Sequence, residues 1–301
     1  MKFSIIVPVY QDDALRAAVR ALQQLDFPQS DFEVIVVENG KKTDWIEECV
    51  RSAGFRYVFT ETAGSYHGRN VGIENATGEL LAFTDSDCQV DANWLSEIDR
   101  TFQSNSVAGV MGFTRGTDTA NKIAQYEQRM YEANIAGFTG ATHLKRIDTR
   151  NFAIRHSTYA TVGGFADDLR FGGDMEYGAR VHAAGLTLVY NAAVSAQHAN
   201  IEHLGKLLQK RLKQNYANMR LLTKHDTTFV REYFPQLLRY QPGALAWIYF
   251  IGFGLIYLLN QPISHQVCTI LPRQLGYFYF KAINVVAIRL GMLKAVLQSH
   301  T

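Results

Sequence analysis

Two carboxylates with the spacing of a metal site follow directly after a short apolar run. The run Glu-Leu-Leu-Ala-Phe ends at Phe83, and Asp85 and Asp87 come soon after it with Ser86 between them. Carboxylates at positions i and i+2 past a strand end can both turn toward one divalent cation and toward the ribose of a bound nucleotide. Their oxygen ligands suit Mg²⁺ or Mn²⁺, which can bridge a diphosphate and neutralise a leaving group. An isolated Asp-x-Asp is also typical of a solvated turn, but its place after a buried strand favours a functional site.

Two further places carry residue types that can do chemistry. His198 can complete a mixed oxygen and nitrogen site for Mn²⁺, although a single histidine is more often structural. Asp174 and Glu176 stand at the start of a predicted helix, behind Gly172-Gly173. A carboxylate there can act as a general base on an acceptor hydroxyl, or can simply complement the helix dipole.

A loop-to-helix junction at residues 64–70 ends in Gly68-Arg69-Asn70. Backbone N–H groups at a helix start, together with Arg69, can meet phosphate or ribose, and the alternative is a capped surface helix. Four familiar motifs, GxxxxGK[ST], GxGxxG, GxSxG and HExxH, do not occur in the sequence. P-loop NTPase, Rossmann dehydrogenase, serine hydrolase and zincin functions therefore lack the residues that they need.

The elements that must position these residues alternate between strands and helices. We predict strands at residues 3–9, 33–37, 56–60, 79–83, 107–115 and 186–190, and helices at 13–25, 45–53, 68–76, 122–134, 172–184 and 204–222. Such alternation predicts right-handed crossovers and a largely parallel sheet. Ligands of such sheets bind at the carboxyl ends of the strands, which is where Tyr10, Glu38 and Asp85 fall.

Composition sets the scale of the protein. The 301 residues (33.9 kDa) suffice for one α/β domain and an appendage. Three cysteines without a CxxC pair support neither a zinc site nor a disulfide framework, and they favour a reduced cytoplasmic setting. The first ten residues lack the apolar length and cleavage site of a signal peptide, so we interpret them as a strand.

The formal net charge of +2 combines two opposite parts of the chain. Residues 1–200 hold 18 Lys and Arg against 25 Asp and Glu, whereas residues 201–301 hold 12 against 3. Residues 244–259 are almost continuously apolar and rich in aromatics, as is typical of a bilayer interface. We expect helices that lie in the cytoplasmic leaflet, with residues 206–239 against anionic lipid. A transmembrane hairpin and a hydrophobic helical subdomain packed on protein are the alternatives.

Taken together, the segments resemble family 2 glycosyltransferases of the GT-A fold over residues 3–222. The similar segments are, in order, SIIVPVYQ, VIVVENG, AGSYHGRNVGIENATGELLAFTDSDC and DTRNFAIRHSTYATVGGFADDLRFGGDMEYGARVHAAG. His198 follows them at the place of the family's third metal ligand. The resemblance implies an α/β GT-A catalytic domain at residues 1–225, with a mostly parallel sheet flanked by helices. A helical, membrane-associated tail would follow at residues 226–301.

The resemblance also implies a reaction, which is inverting transfer of a sugar from a nucleotide-diphospho-sugar. The nucleotide pocket would comprise Pro8, Tyr10, Glu38, Arg69, Asp85 and Ser86. The metal ligands would be Asp85, Asp87 and His198. Asp174 would be the base that activates the acceptor hydroxyl. The acceptor side would include Asn151, Gly173 and Glu176.

Two departures from the family pattern affect these expectations. The family usually has Glu-Asp where this chain has Gly173-Asp174, so the base assignment rests on Asp174, with Glu176 in reserve. Glu38 replaces the commoner Asp of the base-contacting loop, and its extra methylene weakens the prediction of which nucleotide base binds.

The resemblance thus implies a hexosyltransferase-like, inverting enzyme that needs Mn²⁺ or Mg²⁺ and takes a UDP-sugar as its expected donor. Its acceptor would be a glycan or a lipid-linked molecule in cell-surface polysaccharide or glycolipid synthesis, at the cytoplasmic face of the membrane. We expect no nucleic-acid partner. The alternatives are a nucleotidyltransferase and a catalytically degenerate, glycosyltransferase-like scaffold.

Overall fold

The computed structural model of the chain describes residues 1–117, 120–138 and 143–235, without the side chains of 212, 215–219, 222 and 223. The strands are β1 Phe3–Val9, β2 Phe32–Asn39, β3 Arg56–Thr60, β4 Leu80–Thr84, β5 Cys88–Val90, β6 Val107–Gly116, β7 Asn151–Arg155 and β8 Thr187–His198. The α-helices are α1 Leu15–Gln23, α2 Asp44–Ser52, α3 Ser65–Glu74, α4 Trp94–Phe102, α5 Lys122–Ile135, α6 His156–Val162, α7 Gly173–Ala183, α8 Leu204–Lys224 and α9 Thr227–Tyr233. The apolar stretch at residues 244–259 lies outside the described residues.

All eight described strands form one sheet in the order β3-β2-β1-β4-β7-β6-β8-β5. Strands β3, β2, β1 and β4 are mutually parallel, and β6 is parallel to β8. Strand β7 runs antiparallel to both of its neighbours, and β5 runs antiparallel to β8. The predicted α/β class with a mostly parallel sheet is confirmed.

Alternating side chains of the central strands fill two separate cores, one on each face of the sheet. On β1, Ile5 and Val7 belong to the core that packs against α1, α2 and α4, whereas Ile6 belongs to the core on the other face. That second core contains Tyr66 of α3 and Tyr177 of α7. Because helices cover both faces of the sheet, side chains on both faces of the central strands are buried. This explains why these strands are continuously apolar in the sequence.

The chain divides into two compact units. One comprises residues 1–117 and 131–199 and contains the whole sheet, and the other comprises residues 118–130 and 200–301. In the second unit, Ile123 and Tyr126 pack against Leu204, Leu207 and Leu208. The predicted boundary at residue 225 stays a prediction, because residues 236–301 lie outside the described part. Across the residues that are described, no helix combines the length and the apolar character that a bilayer span needs.

The structure adds elements that the sequence analysis did not predict. Strands β5 and β7 are absent from the prediction. The three residues of β5 carry too little periodicity to stand out. Helix α4 was also missed, although its buried residues have helical spacing. Strand β8 continues to His198, eight positions beyond the predicted end, through a register shift opposite Gly112 and Phe113.

Asn151, at the start of β7, makes hydrogen bonds to helix α4 and to strands β6 and β8. Its Oδ1 accepts a hydrogen bond from the Trp94 indole at 2.8 Å, and its Nδ2 donates to the carbonyls of Phe113 and Val194, each at 2.9 Å. A side chain at Gly112 would collide with this amide, because a Cβ there would lie 2.4 Å from Nδ2. The glycine therefore lets the amide bridge β6 and β8.

Replacing this amide is expected to destabilise the fold. Asn151→Ala removes the acceptor of a buried indole N–H and a donor to each of two strand carbonyls, which should lower the free energy of unfolding by about 2–4 kcal/mol. Urea denaturation measures the change. Asn93→Ala is the matched control, since Asn93 is exposed and makes no capping hydrogen bond, and it should change stability by less than about 0.5 kcal/mol. Equal stability of the two variants would contradict the bridging role.

Candidate active site

The carboxyl ends of three parallel strands bring the predicted residues to one edge of the sheet. Val9 at the end of β1 pairs with Glu38 near the end of β2, and Phe83 of β4 pairs with Ile6 of β1. Tyr10 therefore follows β1, and Asp85 follows β4, on the same edge. This is the edge where open α/β sheets bind ligands.

Glu38 is fully buried near the end of β2. Its Oε2 accepts a hydrogen bond of 2.5 Å from the hydroxyl of Tyr57 on β3, a residue that the sequence analysis missed. Burial, followed by the hydrogen bond and charge of Glu38, raises the pKa of Tyr57, so this hydroxyl stays a donor. Within the described residues, Glu38 Oε1 is buried and has no hydrogen-bond partner.

The loop after β2 is built for close approach. The Asn39 amide donates to the Val9 carbonyl at 2.8 Å and accepts from the Gly64 N–H at 2.8 Å. Gly40 has a φ of +87°, and a Cβ there would lie 2.9 Å from the ring of Tyr10. Tyr10 keeps 54% of its surface exposed, so its ring is open to a ligand.

Pro8 lies in the interior rather than on an open surface. It is buried in β1, and a Cβ at Gly68 of α3 would lie 3.2 Å from its side chain. Pro8 therefore sets how closely α3 approaches the sheet.

Arg69 of α3 is only 2% exposed and forms an ion pair with Asp85 through its NH2 group. Its Nε is buried without a partner among the described residues. Burial raises the pKa of Asp85 and Arg69 lowers it, while Asp87 and Asp148 raise it further, so the net effect is a raised pKa. Asp85 thus lies where negative charge is already concentrated.

Asp87 and His198 meet because β5 pairs Cys88 directly with His198 of β8. Asp87 Oδ2 lies 3.3 Å from His198 Nε2. Burial opposes ionisation of Asp87, but the hydrogen bond and charge of His198 outweigh it and hold the pKa of Asp87 below its ordinary value. Ser86 has a different partner, since its hydroxyl donates to Asp12 Oδ2 at 2.7 Å.

A partly buried ion pair that the sequence analysis missed lies beside these carboxylates. The Arg150 side chain donates from Nε to both oxygens of Asp148 at 3.0 Å and from NH2 to Oδ2 at 2.5 Å. Burial opposes ionisation of Asp148, but Arg150 outweighs it and holds the pKa of Asp148 at about 2. Asp148 therefore stays ionised, and its charge raises the pKa of both Asp85 and Asp174.

Asp174 lies in the first turn of α7, behind Gly172 with a φ of +77°. Its Oδ1 accepts hydrogen bonds from the Tyr66 hydroxyl at 3.1 Å and from the Met175 N–H at 2.9 Å. Burial, with the charge of Asp148, raises the pKa of Asp174 to about 6. A carboxylate with this pKa is well matched to general-base catalysis near neutral pH.

The three residues predicted on the acceptor side have identifiable partners. Glu176 is buried and bound by Arg180, with an Nε–Oε1 distance of 2.8 Å. Gly173 lies against Tyr66, since a Cβ there would come within 2.7 Å of the ring. Asn151 pairs with Thr84, next to Asp85, and its amide makes the three hydrogen bonds described above.

The carboxylates and the histidine of this edge include few ligands for a divalent cation. No group of three or more His, Cys, Asp or Glu side chains in the described residues is arranged to hold a metal ion. Asp87 and His198 fit as a pair, because adjacent ligands of one ion at about 2.1 Å lie about 3 Å apart. Asp85 faces Arg69 instead. Asp87 and His198 would therefore supply two ligands of a cation, and no third His, Cys, Asp or Glu of the described residues joins them.

The chain is similar to known glycosyltransferases. The model of the family described as glycosyl transferase family 2 matches residues 4–171, more than half of the chain. The glycosyltransferase AglE of Haloferax volcanii is 29% identical over 222 residues, which cover 70% of each chain. The poly(ribitol-phosphate) beta-N-acetylglucosaminyltransferase TarS of Staphylococcus aureus is 33% identical over 103 residues, which cover 32% of this chain and 18% of that protein.

Two solved structures share the fold. A mannosyltransferase from Pyrobaculum calidifontis, in complex with GDP-Man and Mn²⁺, matches with a TM-score of 0.65 at 16% identity, over 98% of this chain and 87% of that one. Residues 1–349 of S. aureus TarS, in complex with UDP, match with a TM-score of 0.53 at 16% identity, over 99% and 92%. The family match argues against the nucleotidyltransferase alternative. The chain is therefore a glycosyltransferase with a nucleotide-sugar donor, and it belongs to glycosyl transferase family 2.

Proposed function

We propose that this glycosyltransferase inverts the configuration of the transferred sugar, depends on Mn²⁺ or Mg²⁺, and acts on a hydroxyl of a glycan or lipid-linked acceptor. The observation that carries the proposal is a group of carboxylates at one edge of the sheet that outnumbers the positively charged side chains around it. The same edge carries a partly exposed carboxylate, Asp174, whose raised pKa suits a base.

Charge balance supports a divalent cation at this site. The charges of Asp87 and Asp148 raise the pKa of Asp85, and the charge of Asp148 raises the pKa of Asp174. The arginines that oppose these effects are Arg69 and Arg150. Four carboxylates face two guanidinium groups and the His198 imidazole, so negative groups outnumber positive ones among these residues. Burying such an excess is costly unless it is paired or coordinates a metal.

The Asp87–His198 pair would hold the ion, and the nucleotide diphosphate would complete its coordination. The ion would neutralise the charge that develops on the departing diphosphate. Asp85, held by Arg69, would position the donor from the ribose side. Arg69 and Arg150 would keep these carboxylates ionised and in place.

Asp174 would accept the proton of the acceptor hydroxyl. Because Tyr66 and Met175 both donate to Oδ1, Oδ2 is the atom that would take this proton. The acceptor oxygen would then attack the anomeric carbon while the bond to the diphosphate oxygen breaks on the opposite face. One base and one in-line displacement produce inversion.

The environment of Glu38 favours a UDP-sugar as donor. Its Oε2 is taken by Tyr57, and its Oε1 is the buried oxygen without a partner among the described residues. Uracil presents one N–H on its pairing edge, whereas guanine presents two adjacent donors. A single available carboxylate oxygen therefore matches uracil better, once the side chains over Oε1 shift to admit the base.

The basic helix α8 supports an acceptor at the cytoplasmic face of a membrane. Lys206, Lys213, Arg220 and Lys224 are exposed along it, and the helix contains no acidic residue. Lys210 instead pairs with Glu127 of α5 at 2.5 Å. Exposed basic residues of this kind are attracted to anionic lipid, which suits a lipid-linked acceptor in cell-surface polysaccharide or glycolipid synthesis.

The metal assignment is tested by Asp87→Asn, which keeps the shape of the side chain but removes its charge. With Mn²⁺ and a panel of UDP-glucose, UDP-N-acetylglucosamine, UDP-galactose and GDP-mannose, nucleotide release should fall at least about 100-fold. Asp26→Asn, at an exposed position, is the matched control and should keep full activity. Equal turnover by the two variants would contradict the metal role of Asp87.

The base assignment predicts a pH profile. Because the pKa of Asp174 is raised to about 6, the base is ionised above that pH and becomes protonated as the pH falls through it. The turnover of the wild-type protein should therefore fall about tenfold per pH unit below about pH 6. Asp174→Asn should be at least about 100-fold slower and should lack this acid limb. An unchanged limb in that variant would contradict the assignment.

The membrane assignment predicts weaker lipid binding by a chain that ends at Tyr240. Its co-sedimentation with phosphatidylserine vesicles should be lower than that of the full chain, because the apolar aromatic stretch is gone. Phosphatidylcholine vesicles are the control for the charge contribution. Equal sedimentation of the truncated and full chains would contradict an interfacial tail.

A further inference from the structure

We propose that Tyr66 is the positioning residue for the base, because its hydroxyl fixes the orientation of the Asp174 carboxylate from the first turn of α3. This inference rests on the proposed function, since it assumes that Asp174 deprotonates the acceptor. It assigns a role to a residue that carried no prediction from the sequence.

The hydrogen bonds place both donors on the same oxygen of the carboxylate. The Tyr66 hydroxyl lies 3.1 Å from Asp174 Oδ1, and the Met175 N–H lies 2.9 Å from it. Two donors from different elements define the rotation of the carboxyl group about its last bond. The group is then held with Oδ2 directed away from both donors.

The ring of Tyr66 is itself clamped. It is 7% exposed and stacks on Phe165 with a centroid distance of 6.0 Å. The guanidinium of Arg69 lies 5.6 Å from the ring centroid, and the same guanidinium binds Asp85. Tyr66 therefore connects the base to the arginine that holds the donor-side carboxylate.

Gly173 is what allows the ring to reach Asp174. A Cβ on Gly173 would lie 2.7 Å from Cε2, 2.8 Å from Cδ2 and 3.0 Å from Cζ of Tyr66. Contacts this short force the ring to move. The residue directly before the base is thus a glycine because the space beside it is filled by Tyr66.

The electrostatics match this role. Burial and the charge of Asp174 raise the pKa of Tyr66 well above its ordinary value, so the phenol remains a hydrogen-bond donor at any working pH. Burial and Asp148 disfavour the ionised form of Asp174, while the Met175 N–H, Tyr66 and Arg69 favour it. Removing the phenol should therefore make Asp174 harder to ionise.

The test uses Tyr66→Phe, which removes one oxygen and keeps the ring. With Mn²⁺ and the sugar nucleotide of the panel that the wild-type protein turns over fastest, kcat should fall about 10- to 100-fold. KM for the sugar nucleotide should stay within about twofold, since a hydrogen bond to the base should affect the transition state more than donor binding. The acid limb of the pH profile should move up by about one pH unit.

The matched control is Tyr177→Phe. Tyr177 is also buried and stacks on Phe165, with a centroid distance of 4.3 Å, but it makes no described hydrogen bond to Asp174. This variant should keep kcat within about twofold and leave the acid limb in place. Equal loss of kcat in the two variants, without a shift of the limb, would reduce Tyr66 to a packing residue and overturn the proposal.

A second variant tests the space beside the ring. Gly173→Ala should lower kcat as Tyr66→Phe does, because it displaces the hydroxyl without removing it. When Gly173→Ala is added to a protein that already carries Tyr66→Phe, it should cost much less, since no hydrogen bond remains to be lost. Full additivity of the two losses in kcat would contradict a shared mechanism.

A measurement without turnover separates this proposal from the proposed function. The side-chain carboxyl carbon of Asp174, assigned in a ¹³C NMR spectrum with Asp174→Asn, should titrate at a higher pH in Tyr66→Phe than in the wild-type protein. If Asp174→Asn keeps full turnover, the base assignment fails whatever Tyr66 does. If Asp174→Asn is inactive but Tyr66→Phe leaves kcat and the Asp174 titration unchanged, only the role of Tyr66 fails.

Discussion

The candidate site depends on four carboxylates that lie close together at one edge of the sheet. Among the described residues, the arginines that pair with them are Arg69 and Arg150. Asp85 and Asp87 follow β4, Asp148 precedes β7, and Asp174 begins α7. Arg150 is committed to Asp148 and Arg69 to Asp85, so Asp87 and Asp174 carry charge that no arginine of the described residues neutralises directly. This imbalance accounts for the affinity for a divalent cation that we propose at Asp87. Burial is the larger cause of the raised pKa of Asp174, and the charge of Asp148 adds to it.

Two buried polar side chains beside these carboxylates each keep an atom without a hydrogen-bond partner among the described residues. Arg69 and Glu38 are almost fully buried, and each retains a polar atom without a partner among the described residues, Arg69 Nε and Glu38 Oε1. Orphaned buried polar atoms are costly and are retained at functional sites. Both atoms lie on the nucleotide side of the proposed site, where a bound donor would satisfy them. The glycines at positions 40, 68 and 173 provide the close approaches that bring these side chains together.

The positions of the candidate site residues could be predicted from the sequence by two signals. The ends of strands locate Tyr10, Glu38 and Asp85. The order of the motifs locates Asp174 and His198. The contacts that tune these residues could not be predicted in this way. Tyr66 and Asp174 are 108 positions apart, and Tyr57 reaches Glu38 only because β3 pairs with β2. No local pattern encodes such pairs. The departure at Gly173 looked like a loss of a family carboxylate, whereas the structure shows a tyrosine ring packed in its place.

The most direct test of this account is pulsed electron paramagnetic resonance of Mn²⁺ bound to the full chain together with UDP. The account predicts hyperfine coupling to one histidine nitrogen, which disappears in His198→Gln, and coupling to phosphorus of the diphosphate. A spectrum of Mn²⁺ with phosphorus coupling but no histidine nitrogen, or of fully hydrated Mn²⁺ at saturating UDP, would contradict a metal site at Asp87 and His198.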